Sequence, residues 1–399
     1  MLTGSFPGGP QLKVENRWLI LLLLFITRIS LGFQFQAMGS VSSEVVGELG
    51  LNYAEVGSLI GLFMVPGLFL AVPAGLAGNL MSDKFIIGIG LVALSLGGGL
   101  AGLAETFQCL SIARFICGIG FVISSIFFAK VTVDWFDGKE LATAMSVLVM
   151  SWPFGIAMGQ VSHGWLAVNF DWRAAFIVAA IYCAISALLI IMLYKAPSGI
   201  TRTKPKFKLR LSRDEFLLTV VASMAWGFFN AGYVVYLSFS PLVLIFNGYD
   251  RIVALGIISI ASWVMIASGA LCGIASDKTG KPDGILYVCL SVCAAALLLL
   301  VFSQMNILAA LLFGLIGMAP AGIIMSLSAK AMKPENRAIG MGVFFMGQVI
   351  LQGAAPAIAG WLYDVTLDHT LPIFFAVALF VATGISNLVF RVAQRKVPL

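Results

Sequence analysis

The chain has 399 residues, of which 60% are hydrophobic and only 11% are charged, and its mean hydropathy is +1.02. Soluble domains carry about 25% charged residues, so a secreted enzyme, a disordered chain and a nucleic-acid binder are excluded, and the solvent is lipid. The net charge of +6 points to acidic partners only if the charges cluster, so their positions decide its meaning.

The first sixteen residues are polar or rich in Gly and Pro. The apolar run behind them carries Arg28 and outlasts the core of a cleavable signal, so no signal peptide is expected. At about 20 apolar residues per crossing, the runs and the polar breaks between them predict twelve spanning helices. The first six cover 18–41, 53–77, 84–104, 108–133, 140–168 and 172–194. The last six cover 215–246, 252–276, 284–303, 307–331, 337–363 and 371–391. These runs are continuous and lack the alternation of barrel strands, so the fold class is an all-α membrane protein. Residues 1–194 and 214–399 are expected to form two six-helix bundles.

The linker between them, 195–213, holds Lys195, Arg202, Lys204, Lys206, Lys208, Arg210 and Arg213. It reads as a topology determinant and, secondarily, as a contact for anionic lipid headgroups. With both termini in the cytoplasm, 20 Lys and Arg and 10 acidic residues fall on the inner side. The outer side then has only Arg173 and Arg251 against 8 acidic residues. An asymmetry of that size sets orientation. The positive charge is therefore mostly a topology signal, and only Arg28 and Arg114 remain inside the membrane.

The two halves share a repeat. Met145 and Gly164-Trp165-Leu166 return 196 residues later as Met341 and Gly360-Trp361-Leu362, and Ala129-Lys130 returns as Ala329-Lys330. Six plus six helices around a basic loop match the parallel repeats of secondary transporters, which hold substrate near the midplane between the halves. The six cysteines, Cys109, Cys117, Cys183, Cys272, Cys289 and Cys293, lie in or beside apolar runs without metal-ligand spacing and read as small core residues. No cofactor and no metal are expected.

Three motifs then carry a resemblance. Gly273-Ile274-Ala275-Ser276-Asp277-Lys278-Thr279-Gly280-Lys281 follows the eighth span, Arg114-Phe115-Ile116-Cys117-Gly118 lies in the fourth, and Trp172-Arg173-Ala174-Ala175-Phe176 opens the sixth. Together they resemble the major facilitator superfamily over nearly the whole chain. The resemblance implies two six-helix bundles, alternating access, and a gating latch at Gly273, Asp277, Lys278, Gly280 and Lys281. In the first half the matching loop has Asn79 where an acid is expected, with Asp83 beyond it. A Walker A loop is not formed, because Gly273 and Gly280 have the wrong spacing and Lys281 precedes Pro282. The antiporter pattern of the fifth span is also broken, by Gln160 and His163 between Gly159 and Gly164.

All 18 acidic residues fall in loops or at span ends, so the usual carboxylate of proton coupling is missing. His163 is the candidate proton relay. Arg28 lies about ten residues into the first span, roughly 15 Å deep. An arginine there costs at least ~2.5 kcal/mol on insertion scales and marks a pathway by default. Its planar fork suits carboxylates and other oxyanions; a structural arginine bound to carbonyls is the rival reading. The resemblance implies that the first and fourth helices of each half line the central space, so Arg114 is a second candidate beside a bracing role. Trp226, Asn230 and Tyr233 share one face of the seventh span, with Tyr236 near it. Gln34, Gln36, Gln348 and Gln352 are further candidates. Lys130 and Lys330 are expected to snorkel to headgroups.

The expected function is secondary transport of a small anion, inorganic or carboxylate, by a monomer in a bacterial inner membrane, with the bilayer as its other partner. A first-helix arginine without membrane carboxylates is similar to the cyanate-permease-like branch. The alternative is a proton-driven exporter of drugs or other hydrophobic compounds. Intramembrane catalysis has no constellation to support it.

Overall fold

The computed structural model describes residues 14–70, 73, 81–136, 140–196, 211–333 and 336–396. Among them the regular structure is helical, and twelve helices are long and apolar enough to cross a membrane. These are α1 (Val14–Ser40), α2 (Tyr53–Leu62), α3 (Asp83–Gly102), α4 (Phe107–Phe136), α5 (Leu141–Asn169) and α6 (Trp172–Leu193). The second set is α7 (Arg213–Phe246), α8 (Arg251–Thr279), α9 (Pro282–Phe302), α10, α11 (Arg337–Thr366) and α12 (Leu371–Lys396). Helix α10 is composite, with Asn306–Leu312, a π-helical turn Phe313–Gly317, and Ala321–Lys330. A short helix, Ser42–Leu49, links α1 to α2.

The ends follow from local chemistry. Asn52 with Glu55, and Ser212 with Glu215, form capping boxes that start α2 and α7, each satisfying two helix-end amides. Asp171 and Asp250 cap α6 and α8 through the amides of Arg173 and Ile252. The α2 span departs most from its predicted form. Its α-helix breaks after Leu62, turns cover 63–66, and helix resumes over 67–70. Pro66 has no N–H to offer the Leu62 carbonyl, so the helical ladder cannot run through.

Helix α1 packs on α5 and α6, α3 on α4 and α6, and α7 on α11 and α12. The first six helices meet the last six along two seams, α2 on α11 and α5 on α8. In the first seam backbones touch. A methyl group at Gly57 would strike the Pro356 carbonyl, one at Gly61 the Gly353 carbonyl, and one at Gly360 the Tyr53 carbonyl. In the second seam Phe154 meets Trp263 edge to face at 4.9 Å, and Gly164 leaves room for Leu255.

Twelve crossings put the described ends on one face, the terminal side, and the α1–α2 connection on the distal side. Two polar clasps join the halves distally. Both carboxylate oxygens of Asp364 accept from the first amides of α2, Tyr53 N–H at 2.9 Å and Ala54 N–H at 2.7 Å. Arg251 donates to the Ser40 carbonyl at 2.5 Å and to Ser43, and pairs with Glu44. These two clasps join the halves on the distal side. The distal side is closed.

Candidate functional site

Arg28 sits at the middle of α1, eleven residues from Arg17 and twelve from Ser40. The exposed apolar stripe of α1 runs through Leu19, Leu22 and Ile26. Arg28 is two positions beyond Ile26, about 200° around the helix at 100° per residue. Its remaining exposure therefore faces away from lipid. One terminal nitrogen donates to the Leu148 carbonyl at 2.7 Å and to Ser151 Oγ at 2.8 Å. Its Nε is buried without a partner among the described residues, and no carboxylate meets it. The charge is held in place on one edge and left uncompensated on the other.

A wall of aromatic rings rises beside it. Trp152 follows Ser151 in α5, and Phe35 is two turns beyond Arg28 in α1. Phe35–Phe63, Phe63–Phe121, Phe121–Trp152 and Trp152–Phe35 make a closed cycle with centroids 5.3, 5.2, 5.1 and 5.3 Å apart. Four helices contribute one ring each. Phe35 and Phe63 are buried, while Phe121 and Trp152 keep part of their surface open.

The second half supplies an amide chain. The indole of Trp226, which only donates, bonds Gln348 Oε1 at 2.8 Å, and Gln348 Nε2 bonds Gln352 Oε1 at 3.0 Å. Asn230 Nδ2 returns to the Trp226 carbonyl at 2.8 Å. Gln348 and Gln352 lie two positions from the exposed Met346 and Ile350, so they too face away from lipid. Gly67 of the α2 span links the two groups in depth, since a methyl group there would lie 3.3 Å from Val349 and 3.5 Å from Val122. Gln348 and Phe121 are the chain neighbours of those valines. The sequence-predicted residues thus fall in two groups, Arg28 in the first half and Trp226, Asn230, Gln348 and Gln352 in the second, with Gly67 beside the chain neighbours of Phe121 and Gln348.

The other candidates do not join them. Arg114 has 0% exposure and spends its donors on the carbonyls of Leu59 at 3.0 Å, Gln34 at 3.3 Å and Phe35 at 3.3 Å, over the Phe63 ring. It braces α4 against α1 and α2, because a sealed guanidinium must satisfy itself on backbone oxygen. Gln34 is buried against Cys117 and Gly98, on the α3–α4 side of α1. Gln36 bonds Ser40. Tyr233 bonds Ser262 at 2.9 Å, while Tyr236 bonds the Ile258 carbonyl and stacks on Phe313 at 3.9 Å. Both tyrosines belong to a packing seam between α7, α8 and α10, the direction in which their rings point.

His163 has 0% exposure, both nitrogens lack partners among the described residues, and its ring abuts Phe33 at 4.2 Å.

The latch residues are only partly described. Asn79 lies outside the described residues, as does most of the basic linker, and Asp277 is described only as a position in α8. Gly273 has open space around its Cα, Gly280 ends α8 in the left-handed region at φ +63°, and Lys278 and Lys281 are exposed. Asp83 does not reach the other half. Lys130, instead of snorkelling, bonds Asp83 at 2.7 Å and Asp134 at 2.8 Å, pinning α3 to α4.

Sequence reasoning missed Ser151, Trp152 and Phe121. The i, i+3, i+4 placement of Leu148, Ser151 and Trp152 on one helix face was the available signal. It also missed Arg251 and Asp364, whose clasps depend on contacts across more than 200 residues. A cleft of about 400 Å³ at the distal edge, lined by Tyr249, Ile257, Met305 and Leu308 among others, stands apart from Arg28 and carries no charged side chain.

Twelve apolar helices around a buried wall of polar and aromatic groups define an integral membrane protein of the carrier type. A family model described as the Major Facilitator Superfamily matches residues 20–356, and the chain belongs to that family. It is 24% identical over 273 residues to the hexuronate transporter of Bacillus subtilis, covering 66% of this chain and 65% of that protein. It is 27% identical over 265 residues to a probable 4-methylmuconolactone transporter of Cupriavidus pinatubonensis, covering 61% and 59%. The chain thus spans less than two thirds of the length of either relative. A solved bacterial homologue of the human lysosomal transporter Spinster, inward-facing and unoccupied, shares the fold at TM-score 0.75 with 16% identity, covering 96% of this chain and 98% of that one.

Proposed function

We propose that this chain carries a small organic anion across a bacterial inner membrane by alternating access, as a monomer, with the terminal side in the cytoplasm. Arg28 binds the anionic group, and Gln348, Gln352, Trp226 and Asn230 complete the site from the second half. The observation that carries the reading is Arg28 itself, a mid-membrane guanidinium fixed by Ser151 and the Leu148 carbonyl and without a counter-ion. Discharging it by an anion lowers the cost of enclosing it, which lets the site close only when loaded. The two six-helix sets then rock about the α2–α11 and α5–α8 seams. An organic substrate fits the two relatives, whose names specify a hexuronate and a methylmuconolactone. The basic terminal side fits a cytoplasmic face.

The test is counterflow in proteoliposomes with a panel of organic carboxylates, cyanate, nitrate and a lipophilic cation. Organic acids are expected to exchange and the cation to be inert. Arg28→Ala is expected to remove roughly 2–5 kcal/mol of anion binding, with Arg28→Lys retaining part of it because an ammonium lacks the bidentate fork. Wild-type exchange by Arg28→Ala, or exchange of the cation alone, sinks the reading.

A further inference from the structure

We infer that the preferred substrate is a monocarboxylate with a flat, weakly polar body, seated with its carboxylate on Arg28 and one face against Phe121 and Trp152. This rests on the anion reading above and adds the shape and charge number of the substrate.

Charge number comes first. Among the described residues Arg28 is the basic side chain that combines mid-span depth with open surface. Arg114 lies nearer the distal end, level with Gln34 and Phe35, and is sealed by three carbonyls, and the remaining described basic residues lie at or near span ends. One uncompensated cation balances one carboxylate. A second carboxylate enclosed at that depth has no cation to meet and keeps its full desolvation penalty.

The shape of the body follows from what surrounds the guanidinium. Ser151 is bonded to Arg28 and has already given its single proton to the Leu148 carbonyl at 2.6 Å. The next surface along α5 is the Trp152 ring, which leans on Phe121. Phe35 and Phe63 back these two rings from behind, so their position is fixed by packing rather than by a ligand. A substrate hydroxyl laid on these ring faces loses water and finds a partner only at the Trp152 indole N–H. A conjugated or aromatic ring loses little water there and gains a stacking face. Across the space the amide chain has few groups to offer. Gln348 is engaged once at its oxygen and once at its nitrogen, so Gln352 Nε2 and Asn230 Oδ1 are the wholly unengaged groups, with one further N–H each on Gln348 Nε2 and Asn230 Nδ2. This small set, gathered at one place, suits a single polar group at the far end of the substrate.

The experiment is titration calorimetry of the purified full-length chain with four probes: benzoate, cinnamate, glucuronate and terephthalate. Benzoate and cinnamate are expected to bind at least about tenfold more tightly than glucuronate or terephthalate. Trp152→Leu and Phe121→Leu should erase that preference by weakening the flat probes alone. Trp152→Phe, which keeps the ring cycle filled, guards against a folding defect and should retain an intermediate preference. Tighter binding of glucuronate or terephthalate, still dependent on Arg28, overturns the flat-monoanion inference and leaves the anion reading standing. Absence of binding by both flat probes also overturns it. Binding of every probe unchanged in Arg28→Ala brings down the anion reading itself, and this inference with it.

Discussion

On the terminal side the polar ties stay within one set of six helices. Arg17 of α1 holds Glu140 at the start of α5 at 2.7 Å, and Lys130 holds Asp83 and Asp134. In the second set Glu215 of α7 accepts from the Lys333 amide and the Asn336 side chain at 2.9 Å, and Arg391 of α12 holds Asp283 at 2.9 Å. On the distal side the Asp364 and Arg251 clasps run from one set to the other, and the α2–α11 backbones touch. The difference teaches what each face does. These terminal ties hold each set together, whereas the distal contacts join one set to the other, so the proposed alternating-access cycle has to break and remake them.

The largest break in this comparison comes from Gly61. A Cβ there would strike the Gly353 carbonyl, and backbone cannot swing aside as a side chain can. Gly61→Leu is expected to destabilise the distal-closed state by about 3 kcal/mol, a shift of roughly a hundredfold in the balance of states. Thiol labelling of a cysteine placed at Leu242, in the distal cleft beside Arg251, should rise sharply while transport falls. Unchanged labelling would show that the seam does not govern distal closure.

Removing a clasp should do less. Asp364→Ala takes away a charged acceptor from two amides at the positive end of α2, where a carboxylate is favoured. Bonds of this kind are worth about 1.5–3 kcal/mol, so a roughly tenfold or greater rise in distal labelling is expected. Asp364→Asn, which retains one acceptor, should fall between wild type and alanine. Arg251→Ala should act in the same direction, because it too joins one set to the other. A variant that lowers the melting temperature without altering labelling would reassign its clasp from gate to scaffold.

Much of this was legible in the sequence because hydropathy and capping are local. The twelve spans follow from apolar runs bounded by Asn52, Asp171, Ser212 and Asp250, each of which ends a run and caps a helix. Arg28 was legible for the same reason, since a charge at mid-span is conspicuous whatever surrounds it. Facing was not legible. Arg114 is likewise an arginine inside a span, yet three carbonyls from α1 and α2 enclose it, and those contacts span 55 to 80 residues. Tyr233 shares a helix face with Trp226 by spacing, but α8 lies against it, and only the packing of three helices decides that. Asp83 and Lys130 looked independent because nothing local signals that α3 and α4 meet there.

The smallest effect sharpens the comparison most finely, because it uses a distal tie that does not cross. Glu48, in the short helix after α1, accepts from Arg173 Nη1 at 2.6 Å and from the Trp172 indole at 2.7 Å, both at the start of α6. The Arg173 bond, with the indole bond second, holds the Glu48 carboxyl below the usual carboxylate range. A group with a lowered folded pKa stabilises fully above its unfolded value, about 4.3 for glutamate, and that stabilisation is lost as pH falls through the lowered value. Glu48 is largely exposed to solvent, so the effect is small. Melting of the wild type should therefore decline slightly more than that of Glu48→Gln between neutral pH and the acid range. Distal labelling should not respond to Glu48→Gln at any pH, because both partners belong to the first six helices. Increased labelling in that variant would mean that closure depends on the internal shape of one set, and the division between ties that hold a set together and ties that gate would have to be redrawn.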